Sequence, residues 1–300
     1  MKKALLYTLA FMSVCCMSTS CEKPLIDDNE NTEKTEGKVR ITINAARLEQ
    51  TTFEGEDAQS RATRSVGDLC SRITLAVFDM NGARVSTENQ TSKGSDFGKF
   101  NLSLPKGTYT FLFVANSGAA APNISSPSKI MVKNDDMSDT FYYCDDIEIG
   151  EDGFIDITLR RATAKFKLYI KDKTPESIKQ IRFSATGGSL TFDATTGYGT
   201  TASSSQTEKY EVQSDAYTGP SSYEMYTFVR ESGTKLKVTV TAHEKASSSV
   251  AAYTKTLQNI PMSRNVITQY SGTFFGEDPG SGRGFNVKID DEWEQENYEF

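Results

Sequence analysis

The sequence has 300 residues, a formal net charge of −7, 37% hydrophobic residues and 10% aromatic residues. That length suffices for two ordinary domains, and the acidic balance argues against nucleic-acid binding, which needs a basic footprint. After Cys21 no run of about 18 apolar residues occurs, so no transmembrane helix is expected.

The chain opens MKKALLYTLAFMSVCCMSTSC. Lys2 and Lys3, the apolar run Ala4 to Met17, and the small residues Ser18, Thr19 and Ser20 have the order of a bacterial secretory signal. Cys21 follows the small residues directly, which predicts lipidation there; Cys15 and Cys16 lie inside the apolar run and are weaker candidates. Removing residues 1–20 leaves about 280 residues and takes the charge from −7 to −9, because Lys2 and Lys3 go with them. Residues 21–37 read as a polar tether. Outside the signal region only Cys70 and Cys144 remain. An oxidising compartment permits a disulfide between them, and two buried thiols are the alternative.

From Lys38 the chain becomes structured. Val39, Ile41, Ile43 and Ala45 alternate with polar residues, which predicts a half-buried strand. The polar stretch that follows carries Arg61 and Arg64 among small residues and reads as an exposed loop, the usual place for nicking. Ile73, Leu75 and Val77 form the next alternation, and Asn81-Gly82 is a hairpin signal. Phe100, Leu102 and Leu104 follow. Tyr109, Phe111 and Phe113 continue a strand apolar on both faces, hence central. The stretch around Pro122, Pro127 and Asp139 reads as loop with a short helix near Met137. Ile147 to Leu159, turning at Asp152-Gly153, completes a first domain over residues 38–160.

The second domain, 161–276, begins without a linker, so the two should abut. Ala164, Phe166, Leu168 and Ile170 alternate against lysines. The Gly/Ser/Thr-rich segment from Ala194 to Thr207 reads as irregular. Two strands join at Ser232-Gly233, and two more follow. Helical periodicity is nowhere sustained, so the fold class is all-β, two tandem β-sandwiches. Residues 277–300 form a separate tail. After a flexible break, Phe285, Val287 and Ile289 alternate in a strand with no hairpin partner in sequence. Its alternative is a strand folded back on its own domain.

Chemistry-bearing patterns are scarce. The single His243 reads as a surface residue, and no GxSxG, phosphate-binding glycine loop or metal-spaced cysteine pair occurs. Asp135, Asp136 and Asp139, like Asp290, Asp291 and Glu292, lack EF-hand spacing and read as solvated loop charge rather than calcium ligands. No catalytic residue, metal or cofactor is expected.

Several stretches together resemble the fimbrillin-like family, lipoprotein subunits and anchors of the type V pilus of certain Gram-negative bacteria. They are SCEK, LAVFDMNGARV, LPKGTYTFLFVAN, LRRATAKFKLYI, PMSRNVITQYSGTFF with its Arg264-Asn265 pair, and FNVKIDDEW. The resemblance implies two transthyretin-like, Greek-key sandwiches in tandem. It also implies a mechanism. The outer-membrane lipoprotein is cut after an arginine at the cell surface, its first strand leaves, and another subunit's C-terminal strand fills the groove. Carried onto this chain, Val39, Ile41, Ile43 and Ala45 are the displaced strand, Arg61 or Arg64 the cut, and Phe285, Val287 and Ile289 the donor. The implied partners are other fimbrial subunits, the outer membrane through the lipid, and a host protein or glycan. Anchors of the family keep their lipid and are not cut. A non-polymerising binding lipoprotein, with Tyr217, Tyr223 or Tyr226 as an aromatic platform, is the rival from another class. An exported hydrolase with facing carboxylates is the third.

Overall fold

The computed structural model describes residues 37–49, 64–203 and 205–276, with the backbone of 285–290 and 297–298. Cys21, Arg61 and the signal lie outside the described residues. The first strand, β1 (Lys38–Leu48), buries Val39, Ile41, Ile43 and Ala45 on alternate positions. A register shift between Asn44 and Arg47 then turns Leu48 inward as well. A one-turn helix, α1 (Val66–Leu69), carries a capping box of Ser65 and Asp68.

The first sandwich continues with β2 (Arg72–Asp79), β3 (Arg84–Thr91), β4 (Lys99–Pro105), β5 (Gly107–Asn116), β8 (Thr140–Ile149) and β9 (Gly153–Arg161). Their order is β3-β2-β5-β8-β9-β1-β4. β8 and β9 pair only at Phe141↔Arg161 and Tyr142↔Arg160, and the sheet folds over there into two layers. Between the layers lies a core that includes Ile43, Leu75, Phe100, Phe111, Phe113 and Phe141. β5 is central, between β2 and β8, and is buried on both faces.

The second sandwich comprises β10 (Thr163–Ile170), β11 (Gln180–Thr186), β14 (Gln206–Glu211), β15 (Ser221–Phe228), β16 (Thr234–His243), β17 (Tyr253–Met262) and β18 (Ile267–Gly272). β19 (Phe285–Asp290) and β20 (Asn297–Tyr298) extend it. Its layers are β14-β11-β16-β17 and β15-β10-β18-β19-β20. The two sandwiches repeat one plan. In each, the first strand is antiparallel to the fourth and parallel to the last: β1 with β4 and β9, β10 with β15 and β18. The opposing layers correspond as β3-β2-β5-β8 and β14-β11-β16-β17.

Among the described residues each sandwich carries one insertion: β6 (Asn123–Ser126) and β7 (Lys129–Met131) in the first, β12 (Thr191–Asp193) and β13 (Tyr198–Gly199) in the second. The insertions pair with each other, Thr191↔Met131 and Phe192↔Ile130, in a sheet β13-β12-β7-β6 that both sandwiches share. A third core fills the space beneath with Phe78, Leu112, Val114, Ile130, Tyr142, Phe192 and Phe228. Gly37–Phe300 accordingly forms one compact unit. The expected boundary at 160/161 falls inside β9, and the sandwiches meet at Ala162. No helix forms near Met137. That side chain is buried in the third core, and the stretches read as loop hold β6, β7 and β13 instead.

Polar groups lock the same junction. Arg161 donates from Nε and Nη2 to the two oxygens of Asp139, each at 2.8 Å, and from Nη1 to Asn265 Oδ1 at 2.8 Å. Asp139 is buried, not solvated loop charge. Asp136 is likewise engaged, accepting from the backbone N–H groups of Ala119 and Ala120. Arg264 donates to Tyr142 Oη at 3.2 Å and to the Gly197 carbonyl at 2.9 Å. Gly197 sits at φ +79°, and an added Cβ would meet Tyr142 Oη and Arg264 Nη1 at 2.2 and 2.4 Å. Substituting Asp139→Ala should destabilise the protein by about 3–5 kcal/mol, because Arg161 would stay buried without its counter-charge; denaturant titration measures this.

Glu208 on β14 is half-buried, and burial first, then Asp135 and Asp136 across the junction, raise its carboxyl from 4.5 to about 7. The folded protein thus holds a proton that the unfolded chain loses between pH 4.5 and 7, so this group lowers stability as pH rises through that window. Glu208→Gln should stabilise the protein at pH 8 by about 1 kcal/mol, discounting for solvent, and leave it unchanged at pH 4; thermal melts at both pH values test this.

Candidate functional site

β1 lies between two strands rather than at an edge. On one side it pairs antiparallel with β4, from Lys38↔Pro105 to Asn44↔Lys99. On the other it runs parallel to β9, from Ile41↔Gly153 to Leu48↔Leu159. Its apolar side chains enter the first core, and its outer face is tied laterally. Thr42 Oγ1 donates to Asn101 Oδ1 at 2.9 Å, and Asn44 Nδ2 to Asp156 Oδ1 at 2.8 Å. The N–H of Arg40 donates to Asp152 Oδ1 at 2.8 Å. Gly98 (φ +87°) brings its chain close to β1, where its carbonyl accepts from Ala45 N–H at 2.7 Å. A Cβ on Gly98 would stand 3.3 Å from Ala46 Cα.

The chain leaves β1 at Glu49 and returns beside it at Arg64. Leu48 N–H donates to the Arg64 carbonyl at 3.3 Å, and Arg47 bridges to Ser65. The two ends of the connecting segment are therefore neighbours. The Arg64–Ser65 peptide is itself engaged: its carbonyl takes that bond, and its N–H donates to Asp68 Oδ2 at 2.9 Å.

The C-terminal strand is paired. β19 runs antiparallel to β18, from Ile267↔Asp290 to Gly272↔Phe285. The strand read as having no hairpin partner in sequence thus folds back on its own second sandwich, the alternative reading, because β18 has a free row of backbone groups and the tail is tethered beside it; β20 pairs with its other side at Val287↔Tyr298 and Lys288↔Asn297. Where that tail begins, Asp172 accepts three backbone N–H groups, from Phe274, Phe275 and Gly276, at 2.8, 2.7 and 2.9 Å. Sequence reasoning missed this clamp, since nothing local to Asp172 signals a partner about a hundred residues away.

Other expectations are corrected. Cys70 and Cys144 are free thiols. Cys70 packs in the first core, whereas alternation along β8 turns Cys144 toward the third, so the sheet separates them. Burial pushes the Cys70 thiol up; burial, then Asp146 and Asp145, push Cys144 up to about 11. His243 is buried, not at the surface. Its Nδ1 donates to the Val250 carbonyl at 3.0 Å, and Nε2 is 2.9 Å from Thr241 Oγ1. The tyrosine platform does not form. Tyr223 belongs to the second core, Tyr226 packs against the third, and Tyr217 donates to the Ile178 carbonyl at 2.8 Å. Among the described residues, no three His, Cys, Asp or Glu side chains are grouped to hold a metal ion, and no helix is long and apolar enough to cross a membrane.

A family model described as a family of unknown function, DUF6562, matches residues 31–299. No curated protein matches the sequence. The chain is similar in structure to a candidate polysaccharide-binding protein of Bacteroides thetaiotaomicron, at 13% identity and TM-score 0.49, covering 87% of this chain and 98% of that one. A candidate adhesin of the same organism is 12% identical with TM-score 0.49, covering 84% and 95%. The fimbrial anchor protein Mfa2 of Porphyromonas gingivalis is 14% identical with TM-score 0.47, covering 87% and 100%.

If β1 is a packed part of the first core, Ile43→Ala should destabilise the protein by about 2–5 kcal/mol. Hydrogen exchange should then quicken at β1, β4 and β9 before it does at β10 and β18.

Proposed function

The chain belongs to the family of unknown function DUF6562, and we propose that it is a fimbria-associated protein of the bacterial surface. In this reading it is exported as an outer-membrane lipoprotein through Cys21 and assembles by strand exchange, supporting adhesion. One observation carries the proposal: β1 is a strand flanked on both sides whose connection to the next element returns beside it. Lifting β1 out would leave a groove with two open edges and an apolar floor, which another strand can fill by β-addition.

Magnitudes support a role for proteolysis. Val39, Ile41, Ile43 and Leu48 are nearly fully buried, and at about 2 kcal/mol each they hold β1 by roughly 8 kcal/mol before hydrogen bonds are counted. Such a strand does not leave an intact chain. A cut between β1 and α1 removes the covalent tether, and an incoming strand must then offer comparable apolar surface. Phe285, Val287 and Ile289 supply it at alternate positions. Of the two cleavage candidates, the bond after Arg64 is occupied by β1 and by the helix cap, so the reading assigns the cut to Arg61.

The pairing of β19 with β18 favours a second reading, a surface lipoprotein that anchors a fimbria, or binds a glycan or host protein, without donating its own tail. The experiment separates the two. Leaderless protein treated with trace trypsin should be cut once, and then form a ladder of larger species on a gel and a sizing column. Arg61→Ala should abolish the cut, Arg64→Ala should leave it, and a chain lacking residues 285–300 should be cut without a ladder. A cut chain that stays monomeric with β1 in place would move the assignment to an anchor or binding protein. Fibres that form without the tail would sink strand exchange by β19.

A further inference from the structure

The repeat of one plan in both sandwiches makes a difference between them informative. β9 and β18 are equivalent: each closes its sandwich and runs parallel to its first strand. The outer edge of β18 is covered by β19 along Ile267–Gly272. The outer edge of β9 meets β8 only at Arg160 and Arg161. From Gly153 to Thr158 it has, among the described residues, no strand on that side. β8 and β9 splay apart there, leaving a seam between the two layers. Tyr143 and Ile147 on β8 and Ile155 on β9 line the first core there but are only partly buried. Phe154, beside them in sequence, is 62% exposed.

We infer that the β9 edge of the first sandwich is a second docking site, and that its occupant is the β19 strand of another copy of this chain, exchanged from its own β18. Three features select that occupant. The equivalent edge already binds this strand in this orientation. The open stretch Gly153–Thr158 spans six residues, and β19 also spans six. The strand Phe285–Asp290 carries one lysine and one aspartate and is formally neutral, so the acids of this hairpin, Glu148, Glu151 and Asp156 among them, do not strongly repel it. An edge with unpaired backbone groups and uncovered apolar side chains is a template for strand addition, and covering it satisfies both. This site needs no removal of β1, so it stands independently of the proteolytic step.

The test uses the full mature chain, kept uncut and confirmed intact by mass spectrometry. Hydrogen exchange and sedimentation are compared at low and high micromolar concentration. Association should appear with concentration, and the amides of Phe154–Thr158 should slow by at least about tenfold in the associated form. Phe154→Glu, on an exposed side chain, should weaken both effects, and loss of residues 285–300 should abolish them while the amides of the second core stay protected. Protection at 154–158 that does not depend on concentration would mean that the chain covers its own β9 edge, and would overturn the inference. So would an absence of association, or association that survives loss of the tail. None of these results bears on whether cutting at Arg61 frees β1.

Discussion

A single buried guanidinium fixes the geometry on which the rest depends. Arg161 ends β9, and its side chain is 1% exposed. Both carboxylate oxygens of Asp139 face it, Thr163 adds a hydroxyl to the same carboxylate, and the Phe141 ring lies 4.6 Å from its centre. A charge that far from water is tolerable only when it is fully paired. The approach to β8, the end of β9, the start of β10 and the β17–β18 turn at Asn265 therefore adopt one arrangement. Asn265 lies at φ +64°, and its N–H donates to the Thr163 carbonyl, so the turn is also tied through the backbone. β9 flanks β1 and β18 carries β19, so both strands of the assembly reading are held in register with this junction.

The shared sheet does the apolar half of the same work. Neither insertion is long enough to be stable alone, since an isolated short hairpin is marginal in water. Paired across the junction, β7 and β12 complete each other, and Phe192 stacks against Phe228 and meets Tyr142 edge-on. Two domains joined without a linker have thereby become one body.

The sequence made the principal strands legible because period-two alternation is a local signal that burial on one face imposes. β1, β5 and β10 read directly for that reason. The insertions did not read, because strands of two to four residues have too little length to alternate, and their partners lie in the other sandwich. His243 and Asp139 were misjudged on similar grounds. A polar residue beside a turn looks solvated until a distant carbonyl or guanidinium meets it. Cys70 and Cys144 illustrate the reverse: composition allowed a bond that the two faces of a sheet forbid.

The chain by itself determined the all-β class, the duplication into two sandwiches, the apolar face of β1 and the alternation of the tail, because each follows from neighbours in sequence and the geometry of a pleated strand. Tertiary structure alone decided that β1 sits between two strands instead of at an edge, that the Arg64–Ser65 bond is occupied, that the tail rests on β18, and that among the described residues no strand lies beside the outer edge of β9 from Gly153 to Thr158. Those are questions of which backbone edges meet, and edge pairing joins residues as far apart as Ile41 and Gly153, where local pattern carries no information.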